Sequence, residues 1–313
     1  MAELHSYTRT LSAQQISQLK ADLPAQGFAT IVVPHTQFAA AKDKLRVAVY
    51  TSGKLLLQGK GIREFVEFYL EPNVLREARL GYETLLDPAI LEPRIGVDES
   101  GKGDFFGPMV IAGAFVNETV VRAWMDSAAG IRDSKTVTSD GRIAALAKVI
   151  RETQGCIFDV VTIGPAAYNQ LHKKMGSVNK ILAWGHARII ENLLAKLDSS
   201  GDGTSCKKAI SDQFGDKSLI LRALMERGKR VELVQRHKAE SDLAVAAASI
   251  LARDEFVRRL KKLGDHFEVT LPKGASSLVE AAGRKFVAKH GAENLGDVAK
   301  LHFRTTQKVC AAR

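Results

Sequence analysis

Two modules of different type are expected of this chain. A small α+β unit should occupy residues 1–90, and an α/β domain with a mixed sheet and flanking helices should occupy residues 95–313. Three observations carry that expectation. The first ninety residues hold β-rich runs around a turn and then a helical apolar spacing, the order of an α+β module. From residue 95 onward, strands alternate with helices after an opening hairpin, the pattern of a mixed sheet covered by helices. Between the two, residues 81–94 carry Gly81, Pro88 and Pro93, the composition of a linker.

In the first module, residues 28–33 (FATIVV) read as a β-rich run. RVAVY at 46–50 and KLLLQ at 54–58 flank Thr51-Ser52-Gly53, a hairpin turn. Over 61–75, Ile62, Phe65, Val66 and Tyr69 recur at helical spacing. In the second module, RIGVD at 94–98 and MVIAGAFV at 109–116 are strands, separated by the turn formers SGKGDFFGP. Helices are predicted over 118–128 and 139–153, and a strand over 156–163. Helices follow over 165–175, with Pro165 at an N1-type position, and over 178–197. A short strand at 208–211 ends at Asp212. A helix over 218–227, a strand over 231–234, a long helix over 243–263 and a last one over 278–290 complete the order. Residues 199–205 (SSGDGTS) read as a polar surface loop, and no repeat at solenoid periods interrupts the pattern.

Composition narrows the class. The chain has 313 residues, about two domains' worth at roughly 150 residues each. Its apolar fraction of 45% argues against a collagen, a coiled-coil rod or whole-chain disorder. No apolar stretch approaches the ~20 residues of a membrane span. The N-terminal MAELHSYTRTLSAQQ has no apolar h-region, so no secretory signal is expected. Cys156, Cys206 and Cys310 lie far apart without a CxxC pair, which argues against a disulfide framework and for a reducing cytoplasm. Lys and Arg number 45 against 35 Asp and Glu, a net charge of +10. That balance suits a polyanion such as nucleic acid. It equally suits a plain soluble basic protein, because net charge says nothing about fold.

The most unusual segment is Asp98-Glu99-Ser100-Gly101-Lys102-Gly103-Asp104. Two acids stand side by side at the end of an apolar strand. Neighbouring strand residues face opposite sides, so both reach one site only if the strand is ending. Two close carboxylates repel, and a divalent cation between them removes that cost. The plain alternative is a solvated acidic turn. Gly101-Lys102-Gly103 lets a backbone approach an anion closely, although it has neither P-loop nor dinucleotide-fingerprint spacing. So short a motif is weak evidence, and taken alone it is better read as a plain turn. Asp212, after Ala209-Ile210-Ser211, reads alone as a turn residue. Lys238-Ala239-Glu240-Ser241-Asp242, before an alanine-rich run, reads alone as a helix cap. Taken together, acids at strand or helix ends in three separate segments form the constellation that two-metal hydrolysis of a phosphodiester needs.

These segments carry a resemblance. IGVDESGKGDFFGPMVIAGAFV, IRDSK at 131–135, AISDQF at 209–214 and HKAESDLAVAAASILAR at 237–253 are similar to ribonuclease HIII, of the type 2 ribonucleases H. LPKGAS at 271–276 and KLHFRTTQK at 300–308 resemble the family's C-terminal segments. DESGKGD followed by FGP is a specific string, and its ordered co-occurrence with DSK, DQF and KAE leaves little room for coincidence. The likeness covers residues 95–308 strongly. Residues 1–90 fit the family's N-terminal substrate-binding domain, which resembles half of a TATA-binding protein.

The resemblance implies a ribonuclease H-like fold and endonucleolytic cleavage of the RNA strand of an RNA/DNA hybrid, leaving 5′-phosphate and 3′-hydroxyl ends. It implies Mg2+ or Mn2+, two ions per site, a hybrid duplex as partner, a monomeric state and no membrane. The family's acidic quartet falls on Asp98, Glu99, Asp212 and Glu240. One departure matters: the stretch between Glu240 and the alanine-rich helix is a residue shorter than the family's pattern. Asp242 is therefore a rival for the fourth position, and Glu240 is preferred because it completes KAE. Gly101, Lys102 and Gly103 match a motif that contacts ribose 2′-hydroxyls through backbone. Ser134 and Lys135 match a phosphate-contacting loop. His172, Lys173 and Lys174 read as a solvated helix face, with a basic face near the substrate as the alternative; Arg258, Arg259, Lys261 and Lys262 read as a solvated face. No histidines pair at metal spacing. Two rival readings remain: incision at single ribonucleotides in DNA, as by ribonuclease HII, and non-catalytic hybrid binding.

Overall fold

The computed structural model describes residues 6–77, 87–126, 131, 139–200, 205–237 and 239–311. The chain divides into two compact units, Met1–Leu91 with Arg122–Gly130, and Glu92–Val121 with Ile131–Arg313. Each contains one five-stranded sheet.

In the first unit, β1 (Ser6–Thr10), β2 (Ala29–Ile31), β3 (Thr36–Lys42), β4 (Leu45–Tyr50) and β5 (Lys54–Gly59) lie in the order β1-β5-β4-β3-β2, antiparallel throughout. The strands alternate as a half-covered sheet must. Leu55 and Leu57 are buried while Lys54 and Gln58 are exposed, and Val47 is buried beside the exposed Arg46. Helix α1 (Ala13–Ala25) opens with a capping box, Ser12 and Gln15 each accepting the other's backbone N–H. Helix α2 (Ile62–Phe65) continues as a π-helical stretch, Val66–Leu75. Leu19, Leu23, Ile62, Val66 and Leu70 close the core over the sheet. This antiparallel sheet with two covering helical segments fits the half-TATA-binding-protein expectation.

The sequence pattern alone misses β1, α1 and β3. β3 reads TQFAAAK, and alanine has little preference for strands. The ladder to β4 and burial of Ala39 and Ala40 hold it. The expected run at 28–33 shrinks to the short edge strand β2, and Val32 is fully exposed beyond it.

In the second unit, β6 (Arg94–Ser100), β7 (Met109–Val116), β8 (Ile157–Ile163), β9 (Lys208–Asp212) and β10 (Glu232–Arg236) lie in the order β10-β9-β6-β7-β8. β6, β7 and β8 are antiparallel neighbours; β9 runs parallel to β6 and β10 parallel to β9. The mixed sheet is the expected one. The chain's further helices are α3 (Glu118–Asp126), which spans the division at Val121, and, within the second unit, α4 (Asp140–Glu152), α5 (Pro165–Met175), α6 (Val178–Ser200), α7 (Lys217–Ala223), α8 (Leu243–Phe267), α9 (Ser277–His290) and α10 (Arg304–Cys310). Every residue of β7 is buried, because helices cover both faces of the sheet. On one face α6 packs closely enough that a Cβ at Gly185 would stand 2.7 Å from Ile111. On the other, a Cβ at Gly96 would collide with the backbone of Ala244 and Val245 at the start of α8. The buried run Ala246-Ala247-Ala248 lets that helix sit down on the strands.

Three helix ends differ from expectation, and α10 is not among the expected helices; α6 runs on to Ser200, through the start of the predicted loop at 199–205. α7 stops at Ala223 rather than 227, because the buried Glu191 carboxylate accepts the Met225 and Gly228 amides at 2.6 and 2.8 Å and turns the chain. α8 runs four residues past 263, to Phe267, and ends on Glu268 in the left-handed region, φ 50°. Among the described residues, no helix is long and apolar enough to cross a membrane.

Candidate active site

The acids gather where β6 and β9 end side by side. Val97 pairs with Ser211 across the parallel ladder, so Asp98 and Asp212 follow as lateral neighbours. Strand alternation turns the first two acids to opposite faces of the sheet, but they remain close enough at the end of β6 for the Glu99 charge to act on the Asp98 carboxyl. Gly96 and Asp98 point to the α8 face, where the Ser249 hydroxyl bonds the Asp98 carboxylate. Val97 and Glu99 point to the α6 face, where Glu99 Oε2 lies 3.0 Å from His186 Nε2. A carboxylate oxygen accepts here and Nε2–H donates, while Nδ1 is buried with no hydrogen-bond partner among the described residues. The His186 ring is fully buried and packs on Phe214 at 4.7 Å.

Asp212 Oδ1 accepts the Ala239 amide at 3.1 Å. That bond docks the short 3-10 turn Ala239–Ser241, and with it the half-buried Glu240, beside Asp212. Burial pushes the Asp98 carboxyl up to about 7, with Glu99 and then Asp212 adding repulsion, against hydrogen bonds from Ser249 and the Glu99 amide. The site is thus short of positive charge. Among the described residues no three His, Cys, Asp or Glu side chains close on one point as a metal cage. The carboxylates lie instead at the C-terminal ends of two neighbouring central strands and on the turn after β10.

Asp242 lies apart from these carboxylates in its bonding. Its Oδ1 caps α8 by accepting the Ala244 amide at 2.9 Å, and its Oδ2 accepts Arg94 Nε–H at 2.8 Å.

The loop after β6 borders the acids. Lys102 Nζ stands 3.9 Å from Glu99 Oε1 and 5.6 Å from the Phe214 ring centre. Gly101 has φ 92°, and a side chain there would collide with Pro108 O, so the turn itself requires glycine. Gly103 is different: it is exposed, its φ is ordinary, and a Cβ would meet nothing within 4 Å. The fold does not ask for glycine at that position.

Comparison with known proteins decides the family. Residues 95–306 match the family model for Ribonuclease HII, and residues 9–78 match a domain of unknown function, DUF3378. Ribonuclease HIII of Protochlamydia amoebophila (strain UWE25) is 41% identical over 309 residues, covering 99% of this chain and 98% of its own. The chain belongs to the ribonuclease HIII family. Ribonuclease HIII of Chlamydia pneumoniae is 40% identical over 311 residues, 98% of each chain. Among solved structures, Bst-RNase HIII in complex with Mn2+ aligns over 98% of each chain with a TM-score of 0.64 and 28% identity.

Of the ribonuclease HIII positions read from the sequence, Ser134 and Lys135 lie outside the described residues. His172 is not on a solvated face. It stacks on His302 at 4.6 Å, which with burial pushes His302 down to about 4, while Lys173 and Lys174 are exposed as expected. Arg258 and Arg259 are exposed but both bind the buried Glu255. Sequence reasoning missed Ser249 and His186, and both left a trace. Ser249 is the one polar residue in the apolar run 243–252, and His186 interrupts the apolar face of Leu182, Ile189 and Ile190.

Proposed function

We propose that Asp98, Glu99, Asp212 and Glu240 hold two divalent cations, Mg2+ or Mn2+, and that the chain hydrolyses the RNA strand of RNA/DNA hybrids to leave 5′-phosphate and 3′-hydroxyl ends. As a member of the ribonuclease HIII family it is a ribonuclease H; the metal count and the residue roles are the inference. The observation that carries them is geometric: Asp98 and Asp212 end two neighbouring parallel strands, and the Asp212 carboxylate docks the turn that bears Glu240.

The donor set fits hard cations. All four candidate ligands are carboxylates, and the nearby histidine is already committed to Glu99. Mg2+ keeps several waters and needs only one or two carboxylates, so this arrangement serves where a closed cage is lacking. When bound, such ions activate a water and stabilise the leaving 3′ oxygen. Ser249 and the Glu99 amide orient Asp98. His186 turns Glu99 through Oε2 and leaves Oε1 towards the loop. Asp212 holds the Glu240 turn in place. Glu240 is favoured over Asp242 because both Asp242 oxygens are engaged, one in a cap and one in a buried ion pair.

The bare, exposed backbone at Gly103 leaves room for a strand to lie against the loop, where backbone groups can meet a ribose 2′-hydroxyl, the local difference between RNA and DNA. Lys42, Lys44, Arg46, Lys54 and Lys60, all exposed on the first unit, supply affinity for duplex phosphates. The test is cleavage of a labelled RNA/DNA hybrid beside the same DNA duplex carrying one ribonucleotide, with and without Mg2+ or Mn2+. Metal-dependent cutting of the hybrid alone is expected. Efficient cutting at the lone ribonucleotide favours the ribonuclease HII reading, and binding without cutting favours a non-catalytic protein.

A further inference from the structure

The loop from Gly101 to Pro108 joins the strand of acids to β7, and its middle has no secondary structure of its own to satisfy its backbone. Buried backbone groups must find partners. Here the partners come from the far end of the chain. Phe105 N–H donates to Gly274 O at 2.9 Å, and Gly107 N–H to Val298 O at 2.9 Å. The Asp104 carboxylate accepts the Gly274 amide at 2.6 Å. Lys300 then binds the loop four times. Its amide donates to Phe105 O at 2.8 Å, and its Nζ donates to Asp104 O and Gly107 O, both at 2.8 Å, and to Phe106 O at 3.4 Å.

Lys300 is fully buried, and no carboxylate stands within ion-pair distance of its ammonium among the described residues. Among the described residues its ammonium meets backbone carbonyls and the Tyr168 ring, whose centre is 5.9 Å from Nζ. Burial pushes its pKa down to about 7, with only Asp104 opposing. An apolar side chain would fill that volume at lower cost. What the ammonium adds is three N–H donors from a single point, which set the orientation of three carbonyls within four consecutive residues. Those residues directly follow Gly103, and Asp104 N–H in turn bonds Gly101 O at 3.3 Å.

We propose that Lys300 is a positioning residue for ribose recognition: by gripping the carbonyls of Asp104, Phe106 and Gly107 it fixes the Gly101–Gly103 backbone against the incoming RNA strand. This rests on the reading that the glycine backbone meets the 2′-hydroxyl. Removing the grip should leave the acids intact and blur the distinction between hybrid and DNA duplex.

The experiment uses the full-length chain with Lys300→Met and Lys300→Gln, the latter keeping two N–H donors, and with Gly103→Val alongside. Steady-state kinetics on hybrid are paired with Mn2+ calorimetry and thermal unfolding. Affinities for hybrid and for all-DNA duplex are measured in an Asp98→Asn background, where nothing is cut. In Lys300→Met, Mn2+ affinity should stay within about twofold, while KM for hybrid rises and the preference for hybrid over DNA duplex falls by about tenfold to a hundredfold, the scale of a misplaced binding group. Lys300→Gln should fall between, and it carries the test should the methionine variant not fold. If Gly103→Val loses the preference while folded Lys300 variants keep both preference and KM, Lys300 is only a core residue and the proposal fails. If Gly103→Val itself keeps the preference, the glycine reading fails first and takes this proposal with it.

Discussion

Replacing Asp242 with asparagine should weaken the protein without stopping it, and replacing Glu240 with glutamine should do the reverse. Asp242 and Arg94 are 2.8 Å apart with side chains only 10% and 4% exposed. Asparagine keeps the shape and the capping oxygen that serves the Ala244 amide, so the cap is largely preserved. The guanidinium would then face a neutral amide. Arg94 keeps Glu92 O at 2.8 Å, which places the loss near the lower end for breaking a buried pair, about 3 kcal/mol. At about 2–4 °C per kcal/mol for a domain of this size, the melting temperature should fall by about 6–12 °C. Below that temperature kcat on hybrid should be near that of the unaltered chain. Glu240→Gln should barely move the melting temperature. Its kcat loss should exceed the ~10–100-fold typical of losing a group that merely supports a metal ligand. Circular-dichroism melts and steady-state cleavage on the same preparations decide it. Lost turnover with an unshifted melt for Asp242→Asn would refute the reasoning, as would retained turnover for Glu240→Gln.

Asp98 titrates near 7 in the folded chain against about 3.9 in an unfolded one, so the metal-free fold binds the extra proton across that window and loses stability as pH rises through it. Asp98→Asn should therefore raise the metal-free melting temperature at pH 8, abolish cleavage and remove the stabilisation that Mn2+ gives the unaltered chain; for the latter, activity should rise with pH, with a midpoint that moves down as Mn2+ is raised. A midpoint indifferent to Mn2+ would contradict this. Gly103→Val should leave the melt within about 0.5 kcal/mol, as at other exposed positions, yet raise KM for hybrid, whereas Gly101→Ala should destabilise the fold because of its φ of 92°. Deleting residues 1–90 should raise KM more than it lowers kcat and flatten the dependence of affinity on salt, both read from binding and cleavage titrations between 50 and 200 mM salt; unchanged affinity and salt slope in a folded truncation would assign that unit another role.

The second unit was legible because its strands are nearly continuous apolar runs and its helices carry caps, such as Ser139 before α4 and Pro165 at the start of α5. The first unit was less so, since Thr36–Lys42 and Ala13–Ala25 have weak local preferences and owe their form to the ladder and the shared core. At the site, the acids and glycines announce themselves as strings. Their supports do not. His186 sits 87 residues from Glu99, Arg94 sits 148 from Asp242, and Lys300 sits 196 from Asp104. Each is an ordinary polar residue until folding brings its partner. The ambiguity between Glu240 and Asp242 was of the same kind: both are acids ahead of a helix, and the α8 cap and the Arg94 ion pair that engage Asp242 appear only on folding.

Helix α8 touches the acids through Ser249 and the glycine loop through Phe256 and Leu260, whose side chains lie about 3.0 Å from where Cβ atoms of Gly101 and Gly107 would stand. The interval from Ser249 to Phe256 is seven residues, close to two full turns, and Leu260 is a further turn along the same stripe. The helix is therefore a measuring rod of roughly 10 Å between the Asp98 carboxylate and the glycine loop, graduated in turns. One residue inserted between them would swing Phe256 through about 100° and off the loop. A residue lost ahead of Leu243 changes only how the chain enters the rod.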